Sequence, residues 1–209
     1  MNYWNEISLN WKAKLKNKHF VAKILFTIPV LVVGLYFLTK FLTFIEYRPG
    51  ISLNDPFLNI IDSVDLSWFI FAFTYGSVAI GALLIIPDPR KAIAVLHAYM
   101  LILICRVICL YLFPLEPPTG IIPLHDIFME GSFYSGRLNL KDLFFSGHTA
   151  AILLFFFAVT RKKQKWLMLI LSVIVAMGLL LQHVHYTIDV VVAPLFAWFC
   201  YRLSWLWNK

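Results

Sequence analysis

Six apolar runs, at roughly 20–45, 66–86, 92–113, 143–160, 166–182 and 187–207, constrain this chain more than any other feature. Each reaches or approaches the ~20 residues that a helix needs to cross the ~30 Å hydrocarbon core of a bilayer. Inside hydrocarbon the backbone must satisfy its own hydrogen bonds, so such runs fold as helices. The expectation is an all-α polytopic membrane protein with about six transmembrane helices in one bundle. Composition agrees, with 61% hydrophobic and 14% charged residues, where soluble domains carry about a quarter charged. The formal charge of +7 does not indicate nucleic acid, because the bases sit between apolar runs and form no stripe on a soluble fold. Cys105, Cys109 and Cys200 lie within apolar runs and outline no disulfide framework.

Residues 1–209 read as a single transmembrane domain, with 1–19 as a cytoplasmic basic segment carrying Lys12, Lys14, Lys16 and Lys18. No small-residue cleavage site follows, so the first span is expected to be retained. Loops rich in Lys and Arg stay cytoplasmic. The N-terminal lysines, Arg90, Lys91, the 161–165 cluster, Arg202 and Lys209 fall on one side, whereas Glu46, Asp55, Asp62, Asp65, Glu116, Asp126, Glu130 and Asp142 fall on the other. Both termini are therefore expected in the cytoplasm. The compact chain, rich in Lys, Ile, Asn and Phe, suggests a bacterial inner membrane, with a Golgi or plasma membrane as the eukaryotic alternative.

Ionisable groups inside spans are costly and usually face a polar cavity. Arg106, His148, His185 and Asp189 all fall at one leaflet depth under this topology. His185 and Asp189 are four residues apart, so on a helix they share a face. A carboxylate accepting the Nδ1 proton would leave Nε2 as a nucleophile and stabilise the cation formed on phosphorylation. The plainer alternative is a polar pair that holds helices together. Ser146-Gly147-His148-Thr149 stands where a loop meets an apolar run, a position whose backbone N–H groups attract anions. Gly147 permits close approach of the backbone, and Ser146 suits a helix cap. His148 fits the general acid and base that phosphoryl transfer needs. The forked, permanent charge of Arg106 matches phosphate oxygens.

Two strings carry a family resemblance. Asp142-Leu-Phe-Phe-Ser-Gly-His-Thr149 is similar to the D-x-x-x-S-G-H-T signature of the sphingomyelin synthase family, a branch of the type 2 phosphatidic acid phosphatase superfamily. His183-Val-His-Tyr-Thr-Ile-Asp-Val-Val-Val192 is similar to that family's H-x-H-Y-T-[VI]-D-V-x-[VI] signature. A weaker block, Arg106-Val-Ile-Cys-Leu-Tyr-Leu-Phe-Pro114, resembles the arginine-bearing end of a family helix. The resemblance covers roughly residues 95–200, with the catalytic motifs within 100–192. It implies that His185 is the nucleophile, Asp189 its orienting carboxylate and His148 the acid and base. Arg106, Asp142, Ser146, Gly147 and Thr149 would then bind phosphate or substrate, at an extracytoplasmic site without cofactor or metal. The implied partners are a phospholipid donor and a lipid alcohol, ceramide first, with choline, ethanolamine and inositol headgroups all open.

The phosphatase signature K-x6-R-P is missing before the Ser-Gly-His block. Lys40 to Pro49 has one residue too many and lies far upstream, and Leu179 stands where the S-R-x5-H-x3-D pattern has its arginine. Arg106, with Arg137 or Lys141, would have to replace those cations, which favours the synthase-like branch. A hydrolase using the same residues is the first alternative. Zinc held by His148, His183, His185 and Asp189 is a lesser one. A transporter should spread ionisable groups through the membrane's depth, whereas these crowd one leaflet. His125, Asp126 and Glu130 read either as solvated loop residues or as walls of a headgroup pocket. The residues leave oligomeric state open.

Overall fold

A computed structural model of the chain describes residues 2–124 and 139–208; His125, Asp126, Glu130 and Arg137 lie outside the described residues. Among these the chain forms α1 (Tyr3–Leu15), α2 (Lys18–Glu46), α3 (Ser67–Ile85), α4 (Pro89–Leu112), α5 (Gly147–Ala158), α6 (Lys162–Leu181) and α7 (Thr187–Trp207), with a single 3-10 turn at Leu58–Ile60. The fold is an all-helical bundle, and α2, α3, α4, α6 and α7 are long and apolar enough to cross a membrane.

The fourth apolar run departs from expectation. It yields α5, a helix of 12 residues and about 18 Å, well short of the ~30 Å hydrocarbon thickness. Ser146 starts this helix late because its side chain accepts the Thr149 N–H, the usual geometry of a serine cap. Phe144 and Phe145, although apolar, belong to the segment before the cap. What α5 lacks in length it recovers in burial. Ala150, Ile152, Leu153, Leu154, Phe155 and Ala158 are all buried, because α5 packs against α3, α4, α6 and α7 together. Close crossing depends on small residues, as is usual between membrane helices: a Cβ at Gly81 would lie 2.3 Å from the Phe155 ring.

Helix α2 is peripheral. Only 11% of its most apolar stretch is buried, and Leu25, Phe26, Val32, Val33, Tyr36 and Phe37 are exposed, a surface suited to lipid. It packs on α4, where Thr27 on α2 meets His97 Nε2 on α4 at 2.7 Å. Its first turn is capped by Asn17, whose Oδ1 accepts the N–H groups of His19 and Phe20. Asp88 caps α4 in the same way, ahead of Pro89 at the first helical position.

The basic N-terminal segment folds into α1, which no apolar run foretells. Three side chains fasten it to the α3–α4 joint. The Tyr3 hydroxyl donates to the Leu83 carbonyl, Asn10 to that of Pro87 at 2.8 Å and Trp11 Nε1 to that of Ile86 at 2.8 Å.

At the other end of the bundle the loops are laced together. Glu46 Oε2 accepts from the backbone of Leu140 at 3.0 Å and Lys141 at 3.1 Å. Ile51 and Leu115 form an isolated parallel bridge, and Val64 N–H donates to the Leu181 carbonyl at 2.9 Å. Gln182, fully buried, joins three segments: its amide nitrogen donates to Ser67 Oγ at 2.9 Å and to the Ile122 carbonyl at 3.2 Å, and its Oε1 accepts from Leu66 N–H at 2.9 Å.

Candidate active site

Helix α6 ends in a complete Schellman motif: His183 N–H donates to the Leu180 carbonyl and Val184 N–H to that of Leu179. The position that closes this motif is normally glycine, but here it is His183, with φ of 56°. A non-glycine residue in that region costs on the order of 1–3 kcal/mol. Its ring Nδ1 donates to the Thr119 carbonyl at 2.9 Å, and Nε2 is buried with no hydrogen-bond partner among the described residues. The motif ends one helix and aims the next three residues, 184–186, into the start of α7.

His185 lies in the turn before α7 and Asp189 in the helix's first turn, so the two side chains meet without sharing the one helix that the spacing predicts. Nδ1 of His185 is 3.3 Å from Asp189 Oδ2, and the two side chains are 3% and 0% exposed. A carboxylate accepts, so the ring donates from Nδ1 and its lone pair falls on Nε2. The same Oδ2 accepts the Tyr186 N–H at 3.0 Å, which is the third-position half of a capping box. Asp189 thus orients the imidazole from a site that also starts the helix. Its Oδ1 has no partner among the described residues.

The start of α5 is fastened to the start of α7 by the Ser146 N–H, which donates to the Asp189 carbonyl at 3.0 Å. His148, the second residue of α5, is therefore two residues from a direct backbone contact with Asp189. It is partly exposed, with its ring edge-on to Phe71 at 6.5 Å between centroids. Ser146 and Thr149 are buried and turned toward each other, with Ser146 Oγ donating to Thr149 Oγ1 at 3.0 Å.

Arg106 is 5% exposed and lies beneath this turn. Nη2 pairs with the Asp142 carboxylate and Nη1 donates to the Phe145 carbonyl. A Cβ at Gly147 would lie 2.8 Å from Nη1 and 3.0 Å from Cζ, so glycine here lets the helix start rest on the guanidinium. Arg106 and Asp142, both expected to bind phosphate, are engaged with each other and with the Ser-Gly-His turn. Lys141, the other described cation considered for that task, donates to Glu116 Oε1 at 2.8 Å and to the Arg48 carbonyl at 2.7 Å.

Asp55 belongs to this site, although in the sequence it reads only as one of the acidic loop residues. Its Oδ2 accepts the Thr187 N–H at 2.6 Å and its Oδ1 the Thr187 hydroxyl at 3.0 Å. A carboxylate 132 residues away caps the first turn of α7. Burial acts to raise the Asp55 carboxyl, but hydrogen bonds from Thr187, Leu58 and Phe57 outweigh it and hold the group below its ordinary value. Glu116 is likewise held down, by Lys141 first and then by the Gly50 N–H. The backbone carbonyl of Glu116 accepts from the Tyr186 hydroxyl at 3.0 Å, which ties the loop after α4 to the residue following His185. A small signal for Asp55 exists in hindsight, the Asn-Asp-Pro turn at 54–56, a common setting for an aspartate that bonds nearby backbone.

Together these contacts bring a polarised imidazole, a second histidine at a helix start and a guanidinium-braced turn to one end of the bundle. Among the described residues no group of three or more His, Cys, Asp and Glu side chains is arranged to hold a metal ion. No curated protein and no solved structure matches the chain. Residues 141–206, about a third of the chain and the part that carries both histidine motifs, match the family model described as PAP2 superfamily C-terminal, which supports a place in that phosphatase superfamily and a lipid phosphatase or phosphotransferase type of chemistry.

Proposed function

We propose that the protein is a sphingomyelin synthase-like lipid phosphotransferase working through a phosphohistidine. The observation that carries this reading is the His185–Asp189 contact at 3.3 Å, coupled to the Ser-Gly-His turn through the Ser146–Asp189 backbone bond. In the first half-reaction His185 Nε2 attacks the phosphorus of a glycerophospholipid headgroup. A P–N bond forms, the P–O bond to diacylglycerol breaks, and His148 gives its proton to the departing alkoxide. In the second, His148 takes the proton of an incoming lipid hydroxyl, which attacks phosphorus and releases His185. Asp189 stabilises the imidazolium-like charge without itself taking a proton, as the aspartate of a catalytic triad does. Arg106, through Asp142 and Phe145, holds the turn that presents His148, while Ser146, Gly147 and Thr149 form the helix start facing the phosphate. The basic end of the bundle faces the cytoplasm, and the site faces the opposite side of a bacterial inner membrane.

The substrate pair is tested by thin-layer analysis of labelled phosphatidylcholine and phosphatidylethanolamine incubated with purified protein, with and without ceramide. Headgroup transfer that requires ceramide, and that is lost in His185→Ala and His148→Ala while both variants stay folded, is the expected result. Release of a water-soluble headgroup independent of ceramide would make the same site a hydrolase. Unchanged turnover in either variant would remove the mechanism.

A further inference from the structure

About 35 Å of helix separates Glu46, at the laced end of α2, from Lys23 near its start. At that far end α1, α2, α4 and the last turn of α7 enclose a cleft of about 180 Å³ whose lining includes Lys14, Asn17, Lys23, Arg90 and Asn208, with Ile93 as an apolar wall. Three basic side chains from three different helices meet there, and no carboxylate is among the described lining residues. Asp88, next to Arg90 but one residue apart, is already engaged in capping α4 through the N–H groups of Arg90 and Lys91.

The cleft is held in shape from behind. Asn208 Nδ2 donates to His97 Nδ1 at 3.0 Å and to the Ser204 carbonyl at 2.9 Å, which turns Asn208 Oδ1 toward Lys23 Nζ at 3.2 Å. His97 Nε2 then donates to Thr27 Oγ1 at 2.7 Å, and the Thr27 hydroxyl donates to the Lys23 carbonyl at 2.6 Å. Lys23 is fixed at both its backbone and its amine, with a further Nζ proton left for a ligand beyond the acceptors at Asn208 and Trp207. Like charges gathered around one cavity repel, and an anion in the cavity reverses the sign of that energy. An ordinary excess of base at one membrane face does not require such convergence. One turn along α2 from Lys23, Phe26 is 71% accessible and lies on nearly the same face, a surface on which an acyl chain can lie.

We propose that this cleft binds the phosphate of an anionic phospholipid in the leaflet at the basic end of the bundle, with Lys14, Lys23 and Arg90 as donors and the chains along α2. The site is separate from the His185 centre and independent of the reaction assigned there. The test uses purified full-length protein in uncharged detergent, titrated with short-chain phosphatidylglycerol, with phosphatidylcholine of the same chain length and with inorganic phosphate, followed by tryptophan fluorescence and native mass spectrometry. Among the described residues the Lys14 and Arg90 side chains make no hydrogen bond or ion pair, so Lys14→Gln/Arg90→Gln should fold, as checked by its melting temperature; each single variant serves if the pair melts early. Phosphatidylglycerol is expected to bind in preference to phosphatidylcholine, and at least ~10-fold more weakly to the double variant. Lys162→Gln/Lys163→Gln, which removes the same charge from the α6 start, should leave binding within about twofold. Equal weakening in both double variants, or none in the first, would overturn the site. Displacement of the lipid by inorganic phosphate at matching concentrations would overturn the lipid assignment in favour of a soluble phosphate.

Discussion

One oxygen of Asp189 serves two donors, the backbone N–H that starts α7 and the ring of His185. Asparagine at this position can keep the helix start through its amide oxygen, but it lacks the negative charge that favours an imidazolium and fixes the ring's tautomer. Asp189→Asn should therefore fold with nearly the wild-type melting temperature while kcat falls by roughly 10²–10⁴-fold. A variant within tenfold of wild type would show that the pair is only a helix joint. The contact was legible only in part: the i, i+4 spacing suggested a shared helix face, whereas His185 precedes the N-cap Tyr186 and meets Asp189 through the fold of the turn before α7. The Arg106–Asp142 pair was not legible. Thirty-six positions separate the two residues, and each alone reads as a phosphate ligand, whereas together they brace the turn that carries His148.

At the scale of elements, the start of α7 depends on a loop remote in sequence. Asp55 caps Thr187, and the carboxyl's folded value lies below its ordinary 3.8. A lowered carboxyl stabilises the fold fully above its unfolded value and loses that contribution as pH falls through the folded value. Acid unfolding should therefore contain a component below pH 3.8 that Asp55→Asn flattens, while at neutral pH that substitution costs about 1–3 kcal/mol, read from denaturant midpoints. The same acid response in wild type and variant would assign the cap no role. Helix α5 shows the same dependence on context. The apolar run at 143–160 has enough hydrophobicity for a span, yet Ser146 sets a cap within it, and hydropathy does not register a cap.

For the whole molecule, five of the six apolar runs became long helices because the bilayer leaves the backbone no other way to satisfy itself. Helix α1 is not legible in the sequence, because its lysines break any apolar run and only Leu83, Ile86 and Pro87, at and beside the α3–α4 joint, give Tyr3, Trp11 and Asn10 their partners. The clustering of chemistry at one end was visible as soon as loop charges ordered the spans; the cleft at the other end was not, because convergence of Lys14, Lys23 and Arg90 is a tertiary fact. The orientation proposed from those charges predicts a fluorescent C-terminal fusion of green fluorescent protein and an inactive C-terminal alkaline phosphatase fusion. The opposite pair of results would invert the bundle and put His185 on the cytoplasmic side.

The central claim is a covalent bond between His185 and phosphorus. Protein incubated with phospholipid labelled in its headgroup phosphate, then quenched in alkali and separated from lipid, should retain a label that is stable to base and released by acid, and His185→Asn should retain none. Label that persists in the variant, or full turnover by wild-type protein that carries no label at any time in the reaction, would contradict it.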